Sequence, residues 1–310
     1  MIRRLVAAFL AVAVAAACGG SAPETGGPDV VASVFPVADL AGRLAGPDVT
    51  VATLLPPRAS PATWEPSPGQ IRTLRSARGV ISVGAGLDAW VEELFPRGSV
   101  PHLRLTRGME LRDAGHPAEP EGGGRGGTPG AGPGEPGVGD PHVWLDPLRV
   151  RDRILPALTG FLAGLFPGEA DGVRARAAAL SDSLTALDAE IRALLDDVPE
   201  RRFVATHDAW GYFAEAYGLD PLGSIYERPG QEPSARGLAR LVETAREAGV
   251  TTILAEPQLA STAAEALADE LDVEVRVVDP LGGPGVEGRE DYFQMMRFNA
   301  RAFREALGGP

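Results

Sequence analysis

The chain has a single cysteine, Cys18, among its 310 residues. One thiol cannot close a disulfide within the chain or build a cysteine-ligated metal or redox centre, so stability has to come from packing. Positive charge is scarce too: 29 Lys and Arg stand against 42 Asp and Glu, for a formal charge of -13. A body this acidic repels nucleic acid and anionic lipid across the encounter distance, which removes both as expected partners. Surface acidity alone, however, identifies no cation site. Long apolar runs are missing as well. The one candidate, Leu5 to Ala17, follows Arg3 and Arg4 and is too short to cross a bilayer comfortably. What remains is a globular composition, 44% hydrophobic and 23% charged, enough to bury a real core in one two-lobed protein or two modest domains.

The charged head, the short apolar run and the small residues Ala15-Ala16-Ala17 read as a secretory signal over residues 1–17. Cys18 at its end resembles the lipobox cysteine of bacterial lipoproteins, whose thiol is acylated. Ala15 stands where that motif usually has leucine. The expectation is lipidation at Cys18 and an extracytoplasmic protein anchored to the cell membrane. An ordinary cleaved signal that includes a cysteine is the alternative. Residues 18–28, rich in Gly, Pro and Ser, then form a tether.

From Val30 onward short apolar runs alternate with helical patterns, which implies βα units and parallel sheets. Residues 29–166 form an expected N-terminal lobe. Its strands are Val30–Phe35, Val49–Leu55, Val80–Val83 and Val100–Leu105. Its helices are Val37–Leu44, Gly69–Ala77, Leu87–Leu94 and one from Asp146-Pro147 to about Phe166. Residues 113–139 interrupt it as a long Gly/Pro-rich loop. In residues 167–200, Val173, Leu180, Leu184, Leu187, Ile191 and Leu194 draw one apolar stripe, the mark of a long rigid connecting helix. Residues 201–310 repeat the βα pattern, with strands Phe203–Thr206, Thr251–Ala255 and Val275–Val278. Helices Asp208–Tyr217, Ser234–Ala248, Ser261–Glu270 and Asp291–Leu307 accompany them. The predicted class is α/β: two βα lobes with parallel sheets, joined by one long helix, with a ligand cleft between them.

Ligands of open parallel sheets bind beyond the carboxyl ends of the strands. His207, Glu256 and Asp279 each follow an expected strand, His142 precedes the helix start at Asp146, and loop Pro56–Pro68 follows Leu55. Two neutral imidazoles and a carboxylate suit Zn²⁺, and Mn²⁺ less well. Spacing alone is a weak signal, and taken singly each of His142, His207 and Asp279 reads as a surface or hydrogen-bonded residue rather than a ligand. His102, followed by alternating leucines, reads as a plain strand residue, and Trp64, Trp144 and Trp210 read as packing at loop ends.

Seven segments, in order, resemble the metal-binding lipoproteins of bacterial ABC importers, the zinc/manganese solute-binding family. They are Val31-Ala32-Ser33-Val34-Phe35-Pro36, Leu55-Pro56-Pro57, Trp64-Glu65-Pro66-Ser67-Pro68, the run from Asp140 to Pro147, the run from Thr206 to Phe213, Ala255-Glu256-Pro257-Gln258, and Val278-Asp279-Pro280-Leu281-Gly282. The resemblance implies a metal held between two lobes and delivered to an ABC permease in the membrane. It also implies that His142, His207 and Asp279 are ligands, with His207 favouring zinc over manganese. The first family ligand lies in a Pro-His-x-x-Glu-Pro motif, and this chain reads Pro61-Ala62-Thr63-Trp64-Glu65-Pro66. A methyl group coordinates nothing. Water or an oxygen of Glu65, Ser60 or Thr63 fills the vacancy, or metal binding is weakened or lost in an interaction or sensory paralogue, or an open position has become catalytic. The first is the leading expectation, with Glu65 and Glu256 as replacement ligands or as groups that hydrogen-bond a ligand imidazole. The chain is thus expected to be a monomeric, non-enzymatic zinc carrier. Loop 113–139 sits where zinc-specific relatives often have a histidine-rich insert. It offers only His116 with Glu119, Glu121 and Glu135, a flap of weak affinity at most.

Overall fold

The computed structural model of the protein describes residues 27–94, 98, 100–113, 139–226 and 230–308. The signal segment, Cys18 and the tether through residue 26 lie outside the described residues, as do residues 114–138 with His116, Glu119, Glu121 and Glu135. Among the described residues no helix is long and apolar enough to cross a membrane.

Two four-stranded sheets, parallel throughout, organise the chain. In the first, β1 (Val30–Ala32), β2 (Val51–Thr53), β3 (Gly79–Ser82) and β4 (His102–Arg104) stand in the order β2-β1-β3-β4. Val31 of β1 pairs with Ala52 on one side and Val80 on the other. A strand with neighbours on both edges and helices on its faces has no wet side, which is why Val30, Val31 and Ala32 are all fully buried. Helices α1 (Phe35–Ala45), α2 (Pro68–Ser76) and α3 (Ala89–Leu94) carry the crossovers. α2 opens on a capping box, Ser67 Oγ accepting from the Gln70 N–H and Gln70 Oε1 from the Ser67 N–H, with Pro68 in the first turn.

The second sheet repeats the plan. β5 (Arg202–His207), β6 (Asp220–Tyr226), β7 (Thr252–Ala255) and β8 (Glu274–Val277) stand as β6-β5-β7-β8, with α7 (Gly211–Tyr217), α8 (Ala235–Ala248) and α9 (Thr262–Leu271) between them. In each sheet the chain leaves the first strand to one side and later returns to its other side. That reversal opens a crevice at the strand carboxyl ends. The sequence reading places no strand between Tyr217 and Ser234, yet β6 fills Asp220–Tyr226. Pro221 and Gly223 erase its apolar period. An edge strand tolerates both, and the register slips past Leu222 to accommodate them.

Asp146 caps the next helical stretch, accepting from the N–H groups of Leu148 and Arg149. The single helix expected there is interrupted: α4 (Pro147–Arg149) opens into a wide π turn over Val150–Ile154 before α5 (Leu155–Leu165). Pro156 has no N–H to give and its ring crowds the preceding turn, so the backbone widens ahead of it. α6 (Ala170–Leu195) then runs 26 residues, burying Val173, Leu180, Leu184, Leu187 and Ile191 on one face. α10 (Tyr292–Leu307) packs along α6 and also touches α1. One core therefore runs from Val30 and Leu40 through Leu184 and Ile191 to Phe203, Trp210, Phe213 and Phe303. It is continuous across both lobes.

Candidate metal centre

β5 carries buried Phe203 to Thr206 and delivers His207 at its carboxyl end, beside the reversal of the second sheet. β7 delivers Glu256 on the other side of that point. Glu256 Oε2 lies 2.8 Å from His207 Nδ1, and its Oε1 accepts from Trp210 Nε1 at 3.0 Å. Oε1 is thus hydrogen-bonded, while Oε2 makes a close charge contact with the ring nitrogen that lacks the alignment of a hydrogen bond. His142 comes from the first lobe, where Asp140 Oδ1 accepts from both its Nδ1 and its backbone N–H at 2.9 Å. The Tyr212 hydroxyl of α7 donates to the Asp140 carbonyl at 3.1 Å, tying that turn to the second lobe.

A carboxylate at Nδ1 makes that nitrogen the donor and leaves a lone pair on Nε2. The two Nε2 atoms face each other at 3.4 Å. Lone pairs at that separation repel unless a cation lies between them. A tetrahedral ion bound at about 2.0–2.1 Å would set two imidazole nitrogens about 3.3–3.4 Å apart, so the pair fits that chemistry. Burial pushes the proton off His207, but the adjacent Glu256 carboxylate outweighs burial and raises the ring's pKa.

Asp279 is not gathered with the two histidines. Its Oδ1 accepts from Gln258 Nε2 at 2.7 Å and from the N–H groups of Leu281 and Gly282 at 3.0 Å. Its Oδ2 pairs with Arg289 Nη1 at 3.1 Å. Asn299 bonds its backbone N–H and carbonyl, both at 2.8 Å. Among the described residues no three His, Cys, Asp or Glu side chains converge to hold a metal. The expected set of His142, His207 and Asp279 is therefore, in this structure, a histidine pair with the aspartate held by Arg289.

Glu65 and Ala62 are both exposed on their loop, and neighbouring Trp64 packs edge-on against Trp90 with ring centroids 4.7 Å apart. His102 bonds the buried Ser82 hydroxyl at 2.8 Å within the first sheet. Trp144 and Trp210 are core residues, but each also donates an N–H, Trp144 to the Pro280 carbonyl at 2.7 Å and Trp210 to Glu256. Asp140, Trp210 and Arg289 are absent from the sequence-derived site. For Asp140 a signal existed: an Asp-x-His spacing lets one carboxylate reach both the ring and the backbone of the histidine.

Two parallel α/β lobes joined by a long helix, with two carboxylate-backed imidazoles meeting between them, define a two-lobed solute-binding protein with a metal-type donor pair. The chain belongs to the family of ZnuA, zinc-uptake complex component A, periplasmic, whose model matches residues 30–306. The zinc-binding protein AdcA of Streptococcus pyogenes serotype M3 is 28% identical over 284 residues, covering 89% of this chain and 55% of that protein. The chain thus spans about half the length of this streptococcal relative. The high-affinity zinc uptake system protein ZnuA of Bacillus subtilis is 27% identical, with 98% and 96% covered. A crystal structure of a ZnuA deletion mutant with zinc bound matches at a TM-score of 0.76 and 28% identity, covering 91% of this chain and 99% of its own.

Proposed function

We propose that this chain is the extracytoplasmic component of an ABC importer, capturing Zn²⁺ between His142 and His207 and passing it to a membrane permease. The observation that carries this reading is the 3.4 Å between two Nε2 atoms whose Nδ1 atoms are both tied to carboxylates. That arrangement fixes the tautomer and the spacing that tetrahedral zinc needs, whereas Mn²⁺ prefers oxygen-rich, six-coordinate surroundings. Zinc is cargo here rather than the seat of a reaction, so the protein acts as a carrier and not an enzyme. Cys18 is the proposed lipid anchor, with the protein working as a monomer outside the membrane. The names of the zinc-binding relatives support the choice of ion.

The test is competitive zinc titration of the full chain against a chromophoric chelator. The expected result is one ion per chain, lost in His142→Ala and in His207→Ala. Retention of the original affinity after either change would move the metal elsewhere. A second reading, a paralogue with weakened or lost binding that serves as an interaction or sensory lipoprotein, draws on Ala62. Elemental analysis showing no zinc, with no uptake on titration, would favour it.

A further inference from the structure

We propose that Tyr212, a residue of the second lobe, positions His142 of the first: its hydroxyl is inserted into a hydrogen-bonded rung between Arg112 and Asp140, and so sets where that imidazole stands relative to His207. This inference rests on the capture reading above and adds to it a residue outside the histidine pair. The rung is the first observation. Asp113 and Gly139 form an antiparallel bridge, which puts Arg112 opposite Asp140. A hydrogen-bonded antiparallel pair ordinarily exchanges two direct bonds, each N–H to the other carbonyl. One of them is direct here, the Asp140 N–H donating to the Arg112 carbonyl at 2.8 Å. The other runs through the phenol. The Arg112 N–H donates to the Tyr212 hydroxyl at 3.0 Å, and the hydroxyl donates to the Asp140 carbonyl at 3.1 Å. A single oxygen thus satisfies both backbone groups while holding them apart.

Asp140 then passes that placement to His142. Its Oδ1 accepts from both the backbone N–H and the Nδ1 of His142 at 2.9 Å, so a shift of the Asp140 backbone carries the ring with it. Pro141 between them has a fixed φ, which leaves little slack. His207, whose Nε2 lies 3.4 Å from that of His142, ends β5, the strand that leads into the helix carrying Tyr212. Both imidazoles are therefore referred to one lobe. The phenol itself is held in place. Tyr212 is buried, with the Arg149 guanidinium 4.4 Å and the Arg112 guanidinium 5.7 Å from its ring centroid. Arg112 is in turn paired with Glu215 of α7 at 2.5 Å. Burial raises the pKa of the hydroxyl, which keeps it a donor. Gly211 completes the fit. A Cβ there would lie 2.9 Å from both Asp140 Oδ2 and Arg112 Nε, so α7 approaches the rung as closely as bare backbone allows.

The experiment is zinc titration by chelator competition of the full chain and of its variants Tyr212→Phe, Gly211→Ala and Ile191→Val. Metal-free crystal structures of the unaltered chain and of Tyr212→Phe accompany it. Tyr212→Phe removes the bridging oxygen and nothing else. The Arg112 N–H should then close directly on the Asp140 carbonyl and draw His142 out of its 3.4 Å spacing from His207. Zinc affinity is expected to fall about tenfold or more, and to fall likewise in Gly211→Ala. Ile191→Val, which deletes a methylene from the buried face of α6, should lower the thermal midpoint yet keep affinity within about threefold. That control separates positioning from a general loss of stability. A Tyr212→Phe crystal that keeps the imidazole spacing, or zinc affinity in that variant within about threefold of the unaltered chain, would overturn the inference while leaving capture intact. Absence of zinc binding by the unaltered chain would overturn capture, and the two metal-free crystals then decide the placement of His142 by themselves. If Tyr212→Phe does not fold, unchanged zinc affinity in Gly211→Ala is the overturning result.

Discussion

Burying an imidazole ordinarily drives its proton off, yet the Glu256 carboxylate 2.8 Å from Nδ1 lets His207 keep its proton to a higher pH than a free ring would. The protonated form therefore stabilises the metal-free fold fully below the ordinary imidazole range, and that contribution is lost as pH rises through the raised value. Zinc competes with this proton, because the ion needs the Nε2 lone pair. Affinity is expected to be flat well above the raised value and to fall below it, by about tenfold per pH unit for each proton displaced. Titrations from pH 5 to 9 read this directly, and an unchanged affinity at pH 5 would remove His207 from the site. Glu256 faces two donors, the Trp210 N–H and the His207 N–H, and only a carboxylate supplies an acceptor to each. Glu256→Gln offers one carbonyl oxygen for the two, so zinc affinity should fall about 10–100-fold, measured by chelator competition. Ala62→His restores the imidazole missing from the Pro-x-x-x-Glu-Pro loop and should tighten binding by about tenfold or more. Calorimetry showing no gain would mean that the loop no longer points a side chain at the ion.

Among the elements, the loop from Asp279 to Arg289 governs how the second lobe presents its charge. Gly282 sits at φ +61, and a Cβ there would lie 2.6 Å from the Arg289 carbonyl oxygen. Both the left-handed backbone and the clash with another backbone atom argue against any side chain. Gly282→Ala is expected to cost about 1–3 kcal/mol, seen as a lower denaturant midpoint, and to loosen the Asp279–Arg289 pair. Little of this loop was legible beforehand. Asp279 could be read from its motif, but its partner lies ten residues on, in a glycine-rich stretch with no period to place it. The strands and helices around it were easier. The all-apolar β1 and the stripe from Val173 to Ile191 each announce one geometry, because burial on both faces or along one stripe leaves few alternatives. β6 was missed because Pro221 and Gly223 carry no apolar period, and the π turn at Val150–Ile154 because Pro156 widens the helix without ending it.

At the scale of the whole molecule, the two lobes repeat one strand order and share one core, beside which each keeps a smaller apolar cluster, around Val31 and Val80 in the first and around Val204 and Ile253 in the second. Apolar contact passes from β1 and α1 through α5 and α6 to Phe203, Trp210 and Phe303 without a polar break. The Trp144 N–H on the Pro280 carbonyl and the Tyr292 hydroxyl on the Trp144 carbonyl stitch the same boundary with buried hydrogen bonds. Separating the lobes would expose that core and leave those polar groups unpaired, so wide hinge opening is disfavoured. Ligand exchange then has to occur through local movement of the loops at the strand ends, leaving the scaffold intact. The metal-free chain should unfold in a single calorimetric transition, with van't Hoff and calorimetric enthalpies in agreement. Zinc, binding only the folded form, should move that one transition upward as a unit, by about 2.7 kcal/mol of added stability at a free concentration 100 times Kd. A chelator should reverse the shift in full. Two resolved transitions, with zinc raising only one of them, would mean that the lobes fold independently and that the shared core does not couple them.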